Sequence, residues 1–167
     1  MGGLIVTADF SADDFAWLEG MRRAHFPPER NQVPAHLTLF HSLPPSLEEE
    51  AKRQLAIQAR GPAPMASLAG IMDLGGGVAF RVISDELDQI RAELSDHFHG
   101  ALTLQDGPGW RPHVTIQNKV TNRQSRELIA QLEQGFRPRP LGIAGLSLYR
   151  YLGGPWEKIA SFAFRGA

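Results

Sequence analysis

Apolar and polar residues follow two rhythms along this chain, one repeating every second residue and one on a helical period, and the order in which the rhythms succeed one another occurs twice. The run Leu4-Ile5-Val6-Thr7-Ala8 predicts a strand. Ser11 is placed to cap a helix from about Ala12 to Ala24, with Phe15 and Leu18 on its inner side. A loop rich in proline and charge, Pro27 to Val33, enters a second strand in which His36 and Thr38 alternate with Leu37 and Leu39. Pro44-Pro45-Ser46 opens a helix from roughly Leu47 to Ala59, with Glu48, Glu49 and Glu50 near its positive N-terminal end. Beyond Gly61-Pro62 a strand is expected around Ala66 to Leu74.

The second half repeats this order. Val78 to Ile83 predicts a strand, and Ser84 or Asp85 caps a helix with Leu87, Ile90, Leu94 and Phe98 at helical spacing. A Gly/Pro-rich loop, Gly107 to Pro112, enters a strand in which His113 and Thr115 alternate with Val114 and Ile116. Thr121 or Asn122 caps a helix to about Gln134, and strands follow over Ile143 to Tyr149 and Ile159 to Phe164. Leu4 corresponds to Val78, His36 to His113 and Leu68 to Ile143, so the shifts stay between roughly 74 and 77 positions. A unit of this length occurring twice is no solenoid. It predicts two similar αβ lobes about a pseudo-two-fold axis, with repeats of about 1–75 and 76–167 in a single domain.

The chemistry sits at corresponding points of the two repeats. Of six histidines, only His36 and His113 are followed two residues later by Ser or Thr, and both lie just behind a proline, Pro34 or Pro112. In a strand, each pair puts an imidazole and a hydroxyl on one face while the aliphatic residues pack on the other. A pseudo-two-fold axis would set the two strands side by side, with two proton-transfer groups and two hydroxyl donors around one small anion.

Composition narrows the field. The 167 residues are 43% hydrophobic, ample for a core, and no apolar run is long enough to span a bilayer. No leader pattern opens the chain and there are no cysteines, which excludes a thiol nucleophile and thiolate metal sites and fits a cytoplasmic protein. The net charge of −1 argues against a broad nucleic-acid track. A small phosphorylated ligand or an RNA end in a local basic groove remains compatible.

The paired motifs His36-Leu-Thr38-Leu and His113-Val-Thr115-Ile, the duplicated order and the C-terminal Leu148-Tyr149-Arg150 with Gly153-Gly154-Pro155-Trp156 resemble the two-histidine phosphoesterase superfamily. That group contains bacterial 2′-5′ RNA ligases and 2′,3′-cyclic nucleotide phosphodiesterases. The resemblance covers essentially the whole chain. It implies a bilobal α+β fold of two antiparallel-sheet lobes, helices outside, and a central cleft. It also implies metal-independent chemistry, without a cofactor, on nucleotides or RNA carrying a cyclic phosphate or 2′-5′ linkage. The chain is expected to act as a monomer.

In this reading His36, Thr38, His113 and Thr115 are catalytic. The histidines exchange protons with nucleophile and leaving group, provisionally with His113 as base and His36 as acid, and the threonines donate to phosphate oxygens. Phe40, Tyr149, Tyr151 and Trp156 are candidates for stacking a base, Phe40 because it continues the alternation of His36 and Thr38. Arg111, Lys119, Arg150 and Lys158 are candidates for steadying phosphate. Gly75-Gly76-Gly77 reads as a hairpin turn, His97 and His99 as surface residues, and His41 as facing away from the site. Two alternatives compete. One is a silent nucleotide- or RNA-binding module. The other is a metal-dependent hydrolase using His36, His41 and His113, for which no adjacent carboxylate completes a ligand set.

Overall fold

The N-terminal apolar runs form β1 (Leu4–Phe10), α1 (Ala12–His25), β2 (Leu37–Leu43) and α2 (Glu48–Gln58). There follow β3 (Ser67–Asp73), β4 (Val78–Ile83), α3 (Asp85–His97), β5 (His113–Gln117) and α4 (Asn122–Glu133). The chain ends with β6 (Arg139–Pro140), β7 (Ile143–Tyr151) and β8 (Trp156–Ala163). The computed structural model describes residues 2–166. β6 has no counterpart in the sequence pattern, because two residues carry no periodicity.

Two caps form as their residues dictate. The Ser84 hydroxyl accepts from the Leu87 N–H at 3.0 Å, and Thr121 forms a capping box with Gln124. Ser11 departs from expectation, since its hydroxyl donates to Asp14 Oδ2 at 3.2 Å and accepts no backbone bond. Phe15 departs too. It stands 37% exposed while Leu18 is fully buried, because it sits at the rim of the helix's inner stripe, over a cavity.

The strands make two four-stranded antiparallel sheets, ordered β2-β1-β7-β8 and β5-β4-β3-β6, which with the four helices give an α+β fold. The offsets read from the sequence match β1 with β4, β2 with β5, and β3 with β7. Under that matching the sheet orders coincide, yet each third strand has crossed over: β7 lies beside β1, and β3 beside β4. The lobes are therefore not the sequence halves, because the repeats exchange their third strands. Periodicity identifies a strand but not its partner. Gly75-Gly76-Gly77 turns the β3–β4 hairpin, with Gly75 at φ +86°. A Cβ at Gly77 would lie 2.1 Å from the Gln117 carbonyl oxygen.

The inner rows of both sheets meet in one core, with Leu37, Leu146 and Leu148 from one, Leu68, Phe80 and Val114 from the other, and Leu18, Leu55, Leu87 and Leu94 from the helices. β2 and β5 are the edge strands of their sheets and lie against each other. That contact brings the two motifs together. Among the described residues, no helix is long and apolar enough to cross a membrane.

Candidate active site

His36 is the residue before β2, and His113 is the first of β5. Both imidazoles are held alike: Nδ1 lies 2.8 Å from the Pro34 carbonyl oxygen in His36 and 2.7 Å from the Arg111 carbonyl oxygen in His113. A carbonyl only accepts, so Nδ1 carries the proton in each ring. Nε2 is left to take or give a proton. In both copies the acceptor is the carbonyl two residues upstream.

The ladders are also alike. Thr38 pairs with Thr7 and Thr115 with Ala79, but the next pairs are Phe40 with Val6 and Gln117 with Val78. Leu39 and Ile116 are thus extra residues, each forming a β-bulge directly after the motif threonine. A bulge reverses the alternation beyond it. Phe40 consequently turns away from the cleft and is fully buried, with Phe98 at 6.4 Å between ring centroids and the Arg91 guanidinium 4.3 Å from its ring. It is a core residue, not a stacking platform.

Two buried arginines clamp the bulges. Arg22 follows Leu18 by four residues on α1, as Arg91 follows Leu87 on α3, and the two arginines are 4% and 6% exposed. Arg22 donates from Nη1 to the Thr115 carbonyl at 3.0 Å and from Nε to Asn31 Oδ1 at 2.7 Å. Arg91 donates from Nε to the Leu39 carbonyl at 3.0 Å and from Nη2 to the Asp106 carbonyl at 2.8 Å. A helix of each repeat therefore holds the motif strand of the other. Trp110 adds an Nε1–H bond to the Thr38 carbonyl at 3.0 Å. The buried Asp106 carboxylate accepts the backbone N–H groups of His41 and Ser42 at 2.7 and 2.8 Å, pinning its loop to β2. The sequence signal for both arginines was a charge on an otherwise apolar helix stripe.

A cavity of about 470 Å³ opens beside His36 on the outer face of the first sheet, between that face and the loop Gln32 to Ala35. Tyr149, Trp156, Lys158 and Asp9 line it. The Trp156 ring lies 4.7 Å from the His36 ring and 5.6 Å from Tyr149, and Lys158 Nζ stands 5.7 Å from the Tyr149 ring centroid. Ser147 Oγ donates to Asp9 at 2.8 Å. Burial pushes the His36 pKa down to about 4; the bond to Pro34 opposes this, while the positive charge of Arg22 and the neighbouring His113 reinforce it.

The family model for the 2′-5′ RNA ligase superfamily matches residues 10–155. The chain belongs to that superfamily. Its fold is shared with TT0787 of Thermus thermophilus at a TM-score of 0.65 and 18% identity, over 98% of each chain. Escherichia coli LigT complexed with 3′-AMP superposes at 0.60 with 18% identity, over 98% of each chain. A structure described as a phosphoesterase superposes at 0.60 with 19% identity, over 98% of this chain and 99% of that one. No curated protein sequence gives a significant match.

Of the remaining candidates in this superfamily member, Tyr149, Trp156 and Lys158 line the cavity. Arg150 does not. It points to the opposite side of β7 and is paired with Glu48 of α2 and Glu157 of β8, so two carboxylates occupy its guanidinium. The Arg111 side chain is exposed and lines neither this cavity nor the smaller one near Arg22; its carbonyl serves the site by orienting His113. His41 Nδ1 is turned to Asp106 at 3.1 Å, and His97 pairs with Glu50 on the surface. Among the described residues, no three His, Asp or Glu side chains are grouped to hold a metal ion. Asp9, Phe15, Arg22 and Arg91 are the residues that sequence reasoning passed over.

Proposed function

We propose that the protein is a phosphoesterase that opens 2′,3′-cyclic phosphates or 2′-5′ phosphodiester bonds of nucleotides or RNA ends by acid–base catalysis between His36 and His113. The observation that carries this is the matched pair of imidazoles, each with Nδ1 spent on a carbonyl and Nε2 free. In hydrolysis, one Nε2 takes a proton from water as its oxygen attacks phosphorus. The other Nε2–H gives a proton to the departing ribose oxygen. Each transfer contributes about 10²–10⁴-fold in rate. The Thr38 and Thr115 hydroxyls donate to the non-bridging oxygens, where charge accumulates. His36, with its pKa near 4, is neutral at pH 7 and takes the base role, with His113 as acid, the reverse of the order expected from sequence. With a 5′-hydroxyl attacking in place of water, its proton passing to one Nε2 and the freed ribose oxygen taking a proton from the other, the same apparatus joins that hydroxyl to a cyclic phosphate.

The nucleoside of the substrate fits the cavity lined by Tyr149 and Trp156, where a base can stack. The complex of LigT with 3′-AMP supports a nucleotide as the ligand class. A panel of 2′,3′-cyclic mononucleotides, 2′-5′ dinucleotides and cyclic-phosphate RNA ends, assayed with EDTA present, tests the reading. Turnover that survives EDTA and disappears in His36→Ala and His113→Ala is expected. Binding of 3′-AMP with no turnover anywhere in the panel would make the protein a binding module instead.

A further inference from the structure

A second pocket, of about 250 Å³, shares Trp156, Gln32 and Val33 with the nucleoside cavity but none of the four motif side chains. Its charged lining is entirely cationic: Arg22, Arg30 and Lys119. No carboxylate lines it, and neither Arg30 nor Lys119 is in an ion pair among the described residues. In a chain of net charge −1, three cations around one hollow with no carboxylate in its lining are a local exception.

The pocket is built, not a chance of surface lysines. Arg22 is 96% shielded, since only 4% of it is exposed, and two of its nitrogens are fixed on Asn31 and the Thr115 carbonyl. Its third, Nη2, has no hydrogen-bond partner among the described residues, and Arg22 lines this pocket. Glu19, whose field acts on Arg22, is occupied by the Ala35 N–H at 2.9 Å and does not line the pocket. Lys119 is held at φ +61°, the one non-glycine residue with positive φ among those described. Such a conformation costs energy and places this side chain beside the end of the second motif strand.

We infer that Arg22, Arg30 and Lys119 form a subsite for a second phosphate, one nucleotide step from the reacting one, so that the substrate is an oligonucleotide end or a nucleoside bisphosphate and not a bare cyclic mononucleotide. The inference rests on the phosphoesterase reading for its substrate, but its test does not. Arg22 touches Thr115, which carries the reacting phosphate in that reading, and Trp156 walls both hollows. A ligand with its nucleoside on Trp156 and its reacting phosphate at the histidines therefore has this pocket next along its backbone. The second phosphate belongs either to the 5′ position of the same nucleoside or to the far end of the departing one.

Calorimetric titration separates these sources. Adenosine 3′-phosphate is compared with adenosine 3′,5′-bisphosphate, and 2′-5′-linked diadenosine with the same dinucleotide carrying a 3′-phosphate on its 5′-linked nucleoside, the one that departs. In one pair the added phosphate should tighten binding about tenfold or more, as charge-assisted hydrogen bonds do. The ratio within that pair should fall to about threefold or less in the double variant Arg30→Ala, Lys119→Ala, and should shrink as salt is raised. A gain in the first pair assigns the phosphate to the 5′ position, and a gain in the second assigns it to the departing nucleoside. No gain in either pair overturns the inference, as does a gain that the double variant keeps. Cyclic phosphate turnover, measured in parallel, distinguishes the two claims. If turnover is absent while the binding ratio holds, the phosphoesterase reading alone is lost. If turnover is present without the ratio, this subsite is lost.

Discussion

In the first motif strand the imidazole lies under an indole, and in the second it does not. His36 packs 4.7 Å from Trp156, feels the charge of Arg22 and has its proton affinity cut by burial. His113 shares the carbonyl lock, the bulge after its threonine and the arginine clamp, but has no such roof among the described residues. The difference comes from the far edges of the sheets. Where the second sheet ends in the two-residue β6, the first ends in the eight-residue β8, which supplies Trp156 and Lys158. Duplication delivers equal geometry at the two histidines. Material outside the shared pattern gives the two histidines different surroundings, and the proposed mechanism draws its division of roles from that difference.

The comparison breaks first at the histidines. His36→Ala and His113→Ala should each lower kcat/KM by about 10²–10⁴-fold with the circular dichroism spectrum unchanged. The double variant should be little worse than the weaker single one, because the pair acts as a unit. Near-normal turnover in either folded single variant would end the two-histidine mechanism.

Next comes stability at the clamps. Arg91→Ala strips donors from the Leu39 and Asp106 carbonyls, both at buried positions, and should cost about 2–4 kcal/mol in urea denaturation. A cost below about 0.5 kcal/mol would mean that the bulge in β2 holds itself.

The pH dependence sharpens the asymmetry. The folded pKa of His36 lies near 4, below the value of about 6.5 in an unfolded chain, so the unfolded state binds the proton first as pH falls. The contribution of His36 to stability is full above pH 6.5 and is lost between there and about pH 4, up to about 3 kcal/mol. Subtracting the pH profile of His36→Ala from that of the parent should isolate it. The acidic limb of kcat/KM should likewise fall toward pH 4. A limb near 6.5 would remove the ground for giving His36 the base role.

Smaller effects locate the ligand. Trp156→Ala should raise KM with kcat changed less, by an amount equivalent to about 1–3 kcal/mol of stacking, read from steady-state kinetics. Its effect on the His36 titration should be upward, because the roof is removed. Arg150→Ala should change KM less than about twofold, since its guanidinium is committed to Glu48 and Glu157. A large KM effect there would place the substrate across β7 on the wrong side of the sheet.

Most strands and helices were legible because their periods are long enough to count, as with Val78 to Ile83, where the sequence reading and β4 coincide. The paired His-x-Thr segments were legible because a two-residue period places both groups on one face. Phe40 was misread by that same rule, since a bulge is a property of the ladder and not of one strand. Arg150 was misread because its partners, Glu48 and Glu157, meet it only through folding. The exchange of third strands is invisible for a similar reason: Leu4 meets Arg150 across the length of the chain.

That exchange governs how the chain must come together. β1 has β2 close by in sequence, but its other neighbour is β7, so its second edge stays bare until residues around Tyr149 join it. The strands of the second sheet all lie between residues 67 and 140, and they can close while that edge is still waiting. Long-range closure of this kind is slow and leaves a strand edge open to wrong partners during assembly. Cutting at the glycine turn would therefore not release two miniature enzymes. The first fragment would hold β1 and β2 of one sheet and β3 alone of the other, and the second would hold β7 and β8 of the first sheet with β4, β5 and an orphaned β6 of the second, so a full complement of edges would return only when the fragments are mixed.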